Sequence, residues 1–407
     1  MSASINKFAE SLNANFKEVY GDKIENLVPE ALKLYKGIKF VSKEKQGGNL
    51  MHQPVVLGLE HGVTFGSSDD DGFNLNAPIS GQIKDAQVRG NPLVLRSMLG
   101  AVAAQRAAAA KGNAFMDATK FLVANMLRSV TKKLEIEILY GQVGYGTVAS
   151  VSGSTITITT AEFAPGIWAG GEKMPIEIRS SAGALRGNAS VSTVDLDART
   201  LTLDAPIAGV VATDVIWHKG AYGNEFAGIH KILTNTGTLF NISASDYSLW
   251  KGNTVTAGGT TLSLATVEKA VGAAVAKGLD GDVTAFVSIG AWNSLLTEQA
   301  AKRSYDQSYA SAGLENGAKS IQFYGMNGKI TIEPSIYVKE GYAYVLAMED
   351  WAKVGSSDVT FKSPLGDDQY FRMLENSHGF ELRCVADMAI FCQAPGRQSL
   401  INNIVNA

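Results

Sequence analysis

The chain has 407 residues, 45% of them hydrophobic, and a formal net charge of −3. That length exceeds one ordinary core and predicts two or three domains. The near-balanced charge excludes the basic bias of a dedicated nucleic-acid binder, and no run of about 18 apolar residues marks a helical membrane span. Glycine, at 42 residues, points to many tight turns and strands.

Residues 4–20 read as an amphipathic helix, with Ile5, Phe8, Leu12, Phe16 and Val19 on one stripe. The polar start MSASINKFAESLNANF has no apolar signal core, so the chain is expected to be made and kept inside a cell until lysis. A second helix is predicted from Pro29, a favourable first helical residue, through Ala31, Leu32 and Tyr35. Such short helices need another surface to lie on. Between residues 47 and 96, extended runs flank a glycine- and aspartate-rich middle. Val55-Val56-Leu57 pairs with Ile83 to Val88 as a long two-stranded arm whose tip lies near Ser67 to Gly72. An isolated hairpin of that length is marginal and should lie across a neighbour.

Ser97 to Lys111 is alanine-rich and predicted helical. Asn113 to Tyr140 is the longest segment with a clean helical period. Phe115, Ala118, Leu122, Met126, Val130, Leu134 and Ile138 fall on one face. At 1.5 Å per residue this helix spans roughly 40 Å. Asn113 caps its start, Asp117 lies in its first turn, and Arg128, Lys132 and Lys133 follow in the second half, an order that suits the helix dipole.

After Gly141 the period changes to two. Six short strands are predicted between Tyr145 and Lys219, with turns at Gly153-Ser154, Gly170-Gly171, Arg186-Gly187-Asn188 and Asp197-Ala198. That spacing describes a small β-barrel or sandwich inserted in the chain. It holds no histidine or carboxylate cluster, which favours binding or decoration over catalysis. From Phe226 the pattern mixes helices at Leu262 to Lys277 and Ala291 to Lys302 with strands at Asp282 to Ile289, KITIEPSIYV and YAYVLAM, a layered α/β unit. The polar loop Arg303 to Ser320 interrupts it. DVTFKS, DQYFRMLEN and ELRCVADMAIFCQAP are predicted strands, and Pro395 breaks the pattern before a short tail. Cys384 and Cys392 stand eight positions apart in one strand. About 26 Å separates them along a straight strand, too far for a bridge.

Read in order, these segments resemble the major capsid proteins of tailed bacteriophages. KGNAFMDATKFLVANMLRSVTKKLEIEILYG is similar to their spine-helix segment, closing on Lys133-Leu134-Glu135 and Leu139-Tyr140-Gly141. The hairpin looks like their extended loop, and the module with FAPGIWAGGEKMPIEI like the insertion domain that some of them carry. MEDWAKVGSSDVTF and HGFELRCVADMAIFCQAPGRQSLINNI look like their closing peripheral strands. The resemblance covers nearly the whole chain, and the ordered series carries it.

It implies an α+β capsid fold. The expected parts are an N-terminal arm (1–46), an extended hairpin (47–96), a spine helix with the first part of a peripheral domain (97–145), an inserted β-domain (146–219), an axial α/β domain (220–348) and the peripheral C-terminal strands (349–407). It also implies pentamers and hexamers in an icosahedral shell around double-stranded DNA, with conformational maturation when DNA enters. The expected partners are further copies of itself, a separate scaffolding protein, a portal and a decoration protein. The protein would be assembled in the bacterial cytoplasm and reside in the virion. The short N-terminal arm predicts no long cleaved propeptide. Encapsulins, the bacterial nanocompartment shells built on the same fold, are the nearest alternative. A β-rich carbohydrate-binding or hydrolytic module using residues 146–219 is more distant.

The candidate sites are contacts between subunits. Asp69-Asp70-Asp71-Gly72 at the hairpin tip fails the calcium-loop pattern, since counting back from Gly72 puts Ser67 first and Pro78 twelfth. It reads instead as a solvated acidic tip or as one that meets a basic patch on a neighbour. Lys84 is the only lysine of the hairpin region. In one branch of the capsid family such a lysine joins an asparagine of a neighbour by an isopeptide bond, although no partner asparagine or activating glutamate is fixed here. Arg303, Tyr305 and Tyr309 of the polar loop are placed by family analogy near the capsomer axis. The histidines are scattered without paired spacing, and no metal, cofactor or catalytic group is expected. Contact with packaged DNA is expected to be non-specific, along an inner face too near neutral to grip it.

Overall fold

The computed structural model describes residues 31–41, 50–69, 72–100, 118–302, 320–361, 371–374 and 378–406. The helix predicted at 4–20, Pro29 and the polar loop 303–319 lie outside the described residues. A one-turn helix α1 (Leu34–Gly37) and a two-residue strand β1 (Lys39–Phe40) open the described chain, followed by the arm strands β2 (Met51–Gly58) and β3 (Gln82–Val88). The arm pairs antiparallel, with Val55 opposite Lys84 and Val56 opposite Ile83, which agrees with the pairing read from the sequence. Strand β4 (Asn91–Gly100) comes next. It corrects the helix expected from Ser97, because Ser97 to Gly100 pair with a later strand instead. Alanine propensity ends where cross-strand pairing begins, and the rest of that expected helix lies outside the described residues. The expected division between residues 96 and 97 therefore falls inside one strand.

The spine helix α2 (Ala118–Tyr140) carries the predicted stripe. Leu122, Met126, Val130, Leu134 and Ile138 are all buried. From Leu134 to Tyr140 every residue is buried, charged ones included. A helix buried all round has elements packed against each of its faces.

Strands β5 (Gly146–Ser152) and β6 (Thr155–Ile158) follow, then a short helix α3 (Pro165–Trp168), β7 (Pro175–Arg179), β8 (Leu185–Asp195), β9 (Thr200–Leu203) and β10 (Val215–His218). The six strands close into a barrel in the order β10-β5-β6-β9-β8-β7. Closure decides between barrel and sandwich and removes the open edges of the module. The turns at Gly153-Ser154 and Asp197-Ala198 stand where expected. Arg186-Gly187-Asn188 does not turn. It lies inside β8, and the preceding turn falls at 181–183.

The α/β unit contains α4 (Ile229–Thr234), the small pair β11 (Thr238–Leu239) and β12 (Ile242–Ser243), β13 (Asn253–Thr260), α5 (Leu264–Val275), β14 (Val283–Val287), α6 (Ile289–Lys302), β15 (Ile321–Gly325), β16 (Gly328–Pro334) and β17 (Ala343–Leu346). The Ser263 side chain caps α5 by accepting the Thr266 N–H at 3.3 Å. The chain closes with β18 (Trp351–Thr360), β19 (Phe371–Met373), β20 (Gly379–Cys392) and β21 (Ser399–Ile404). Strand β20 is the backbone of a five-stranded sheet with β1, β4, β18 and β19, and it buries the free Cys384 and Cys392.

Beyond Pro395 the chain is not a short tail. β21 enters the other large sheet, in the order β13-β21-β17-β14-β16-β15. The strand character of SLINNIV was outvoted in the sequence by the proline, which here forms one turn of 3-10 helix at Pro395–Arg397 and redirects the chain. The last strand thereby ties the α/β unit to the C-terminal sheet. One apolar core runs from α1 through the spine helix and the barrel to β20, and a second lies inside the six-stranded sheet and its helices.

Candidate assembly interface and its supports

The arm carries apolar side chains that its own fold does not cover. Val56, Leu59, Val63, Phe65, Phe73, Leu75, Ile79 and Ile83 are all exposed, with Phe65 at 91%, Leu75 at 81% and Leu59 at 75%. Beyond β2 and β3 the two chains stay together through polar contacts. His61 N–H donates to Ile79 O at 3.1 Å, and Asn76 donates its N–H to Thr64 Oγ1 at 2.8 Å and its Nδ2 to the Val63 carbonyl at 3.0 Å. Burying a Leu, Ile or Phe side chain is worth about 1.5–3 kcal/mol, so eight exposed ones forgo on the order of 10 kcal/mol. A patch of this kind marks an interaction surface.

The arm's root is anchored. Ala86 and Val88 are buried. Gln87 N–H donates to Phe240 O at 3.0 Å, and Asn241 Nδ2 donates to Asp85 O at 3.3 Å. The His52 ring lies 2.6 Å from Asp85 Oδ2, and that hydrogen bond lowers the Asp85 carboxyl from its ordinary value.

Of the residues singled out in the sequence, Asp69 and Lys84 are described, and they stand apart on the arm. Asp69 is exposed near the tip, its N–H donating to Ser67 Oγ at 3.3 Å. Lys84 is exposed near the root, its ammonium 5.8 Å from the centre of the Tyr247 ring. Asp70, Asp71, Arg303, Tyr305 and Tyr309 lie outside the described residues. Among the described residues no group of three or more His, Cys, Asp or Glu side chains fits a metal ion, and no helix is long and apolar enough to cross a membrane.

The sequence reading missed the polar groups at the inner end of α2, which hold the units that carry the arm. Glu135 accepts the backbone N–H groups of Lys33, Leu34 and Tyr35 at 3.1, 3.0 and 2.6 Å, seating the start of α1 on the spine. Burial raises this carboxyl, and the three donors oppose the rise. Tyr140 Oη accepts the Lys339 N–H at 2.8 Å from the α/β unit. Lys339 Nζ donates to Glu162 at 2.6 Å and to Gly144 O at 3.1 Å, and lies 4.3 Å from the centre of the Tyr140 ring. Tyr342 Oη donates to the other Glu162 oxygen at 2.6 Å. Burial pushes Glu162 up, but the Lys339 ammonium and these hydrogen bonds outweigh it and hold the carboxyl at about 2. His230, 2.9 Å from Tyr344 Oη, is pushed down to about 4 by burial and by Lys339. One signal in the sequence marks the α2 end of this cluster, though not its distant partners. Lys133-Leu134-Glu135-Ile136-Glu137-Ile138 alternates charge and aliphatic residues inside a helical period, which forces charge onto more than one helix face.

No family model matches the chain, and no curated protein matches it. Solved structures do. A chain of the cyanophage A-1(L) capsid asymmetric unit aligns with a TM-score of 0.55 at 13% identity, covering 95% of this chain and 97% of that one. The capsid of the native GTA particle aligns at 0.49 and 9% over 96% of this chain and 95% of that one. The capsid of the Myoviridae phage XM1 aligns at 0.48 and 9% over 97% and 98%. The first of these shows the fold: this chain is an α+β protein with the architecture of a phage capsid subunit, carrying a closed six-stranded barrel.

Proposed function

We propose that the chain is a major capsid protein, a structural subunit and not a catalyst, whose copies form pentamers and hexamers and close an icosahedral shell around the double-stranded DNA of a tailed bacteriophage. The observation that carries this reading is the arm: eight exposed apolar side chains on a firmly rooted hairpin, in a chain with a capsid fold. A neighbouring copy covers that surface. Each subunit then offers an arm to one neighbour and receives one from another, a head-to-tail contact that closes into rings. Interfaces of this kind bury above about 2,000 Å², and their number per subunit makes the shell durable. Asp69 and Lys84, both exposed on the arm, take part in those contacts. A scaffolding protein, a portal and a decoration protein complete the particle, and its inner face meets DNA without base readout.

The test is sedimentation with negative-stain electron microscopy of the chain expressed alone and with its scaffold. Closed shells or rings of five and six support the reading. A well-behaved monomer under both conditions overturns it and returns the barrel to consideration as a binding module.

A further inference from the structure

The spine helix and the segment leaving the barrel are strapped together at one point. Glu137 on α2 accepts the Phe226 N–H at 3.2 Å. Glu225, the residue before Phe226, accepts the Gln142 N–H at 3.3 Å, and its carbonyl accepts Gln142 Nε2 at 2.9 Å. Each carboxylate therefore holds a backbone donor belonging to the other's segment. The backbones touch here as well: Gly228 N–H donates to Gly141 O at 3.0 Å, and a Cβ on Gly228 would stand 2.5 Å from Gly141 N. Glu137 and Glu225 are both buried, and Glu225 Oε1 has no hydrogen-bond partner among the described residues. Both line a cleft of about 840 Å³ between β4, α2 and the barrel.

Two buried carboxylates that repel each other cannot both stay charged cheaply. Arg128, Lys132, Lys173, Lys219 and Glu172 also line the cleft, but the cation that bears on the two carboxyls is Lys133, whose ammonium is bonded to Tyr145 Oη and lies 4.3 Å from the centre of that ring. From the barrel side, Glu177 adds negative charge but is paired with Arg179 at 2.8 Å. His218 is kept neutral by burial and by Lys133.

We infer that one of the two carboxyls, Glu137 or Glu225, stays protonated in this joint, and that loss of that proton lets the barrel part from the spine helix while water enters from the cleft. The charges agree with this geometry. Burial and Glu225 push Glu137 up, burial pushes Glu225 up, and burial pushes Lys133 down. A carboxyl raised in the closed joint binds a proton that the open joint releases. The closed joint therefore weakens as pH rises from the ordinary carboxylate range to about 8. A lysine lowered in the closed joint acts oppositely, so closure recovers above about 8 as Lys133 discharges. The joint is weakest where the two windows meet. A shell subunit with this device would hold its barrel more loosely at mildly alkaline than at mildly acidic pH. The joint belongs to the single chain, so its failure leaves the shell reading untouched.

Hydrogen exchange of the full chain, corrected for the intrinsic pH dependence of exchange, tests the joint. Protection of the Phe226 and Gln142 amides should fall by about tenfold or more between about pH 5.5 and about pH 7.5, one proton being worth up to tenfold per pH unit. Protection of Val148, whose N–H is bonded to Asp214 inside the barrel region, should hold steady. The Glu137→Gln/Glu225→Gln variant should show no such fall. A flat profile in the wild type, or the same fall in the variant, overturns the inference. If the variant does not fold, infrared spectra of the wild type and of the Glu137→Gln single variant decide. A carboxylic-acid carbonyl band present near neutral pH, lost on alkalinisation and missing from the single variant supports the retained proton; no such band, or one unchanged in that variant, overturns it.

Discussion

The arm and the inner end of the spine helix invert the usual rule of burial, in opposite senses. The arm leaves Phe65, Leu75 and Leu59 in solvent, while the spine end encloses Glu135, Glu137 and Lys339. Each arrangement is costly in isolation, and each makes sense by what lies across from it. The charges of the spine end are answered within the chain, by backbone donors from α1, by the barrel segment and by the α/β unit. Beyond its root, the arm leaves Phe65, Leu75 and Leu59 largely uncovered by the described residues of the same chain. The comparison separates buried polar groups that fix how the units of one chain meet from exposed apolar groups that, on the proposed reading, another copy covers.

The sharpest way to break that separation is to remove Lys339. Its ammonium is buried and paired with Glu162 at 2.6 Å, and Lys339→Met leaves that carboxylate uncompensated. Breaking a buried pair from one side costs about 3–5 kcal/mol. The expected outcome is a large drop in the thermal or denaturant midpoint, partly restored in Lys339→Met/Glu162→Gln, where no charge remains to strand. Equal loss in the single and double variants would show that packing, not charge, is what Lys339 supplies. Gly228→Ala comes next. Its Cβ meets the Gly141 backbone nitrogen at 2.5 Å, and backbone there has no free volume to yield. A cost of about 2–3 kcal/mol is expected, read as a lower melting midpoint. An unchanged midpoint would mean that the joint between spine and barrel is looser than its contacts indicate.

The two regions were unequally legible in the sequence. The arm announced itself, because period-two runs around a glycine- and aspartate-rich turn have few other solutions, and the observed pairing of Val55 with Lys84 follows from that pattern. The spine stripe from Leu122 to Ile138 was legible for the same reason. The polar cluster was not, since its members come from residues 135, 162, 230 and 339, and only the fold brings them together. Local propensity also failed where tertiary pairing overrode it. Ser97 to Gly100 looked helical beside an alanine run but completes β4 against β20, and Ser399 to Ile404 looked like a tail after Pro395 but fills a gap in the six-stranded sheet. In both cases the deciding partner is far away in sequence.

Acid should weaken the His230 contact within the α/β unit, in the sense opposite to the Glu137–Glu225 joint. His230 is held down to about 4 in the folded chain. The unfolded chain takes up a proton below the ordinary histidine value near 6.5, so the contribution of His230 to stability is full above that value and falls as pH drops toward about 4. The loss is on the order of 3 kcal/mol. Glu162, held at about 2, contributes in a lower window, from the ordinary carboxylate value down toward about 2. Chemical denaturation at stepped pH should resolve both windows. His230→Phe should lower stability overall yet flatten the upper window, and the slope, not the midpoint, is the readout. An unchanged slope in that variant would remove His230 from the account.

The smallest effect on folding should come from the arm, together with the largest effect on assembly. Phe65 and Leu75 are among the most exposed apolar residues of the chain, so Phe65→Ser and Leu75→Ser remove contacts that the isolated subunit does not make. Surface substitutions of this kind change stability by less than about 0.5 kcal/mol. Each apolar side chain that a neighbour covers would contribute about 1.5–3 kcal/mol to the interface, and in the proposed shell the loss would recur at every subunit. The double variant should melt like the wild type and fail to form rings or shells at concentrations where the wild type does. If it assembles normally, the arm's apolar face is not the contact that builds the particle. If it unfolds, the arm folds back on its own subunit, and the contrast between an inward-facing spine and an outward-facing arm fails at its outer half.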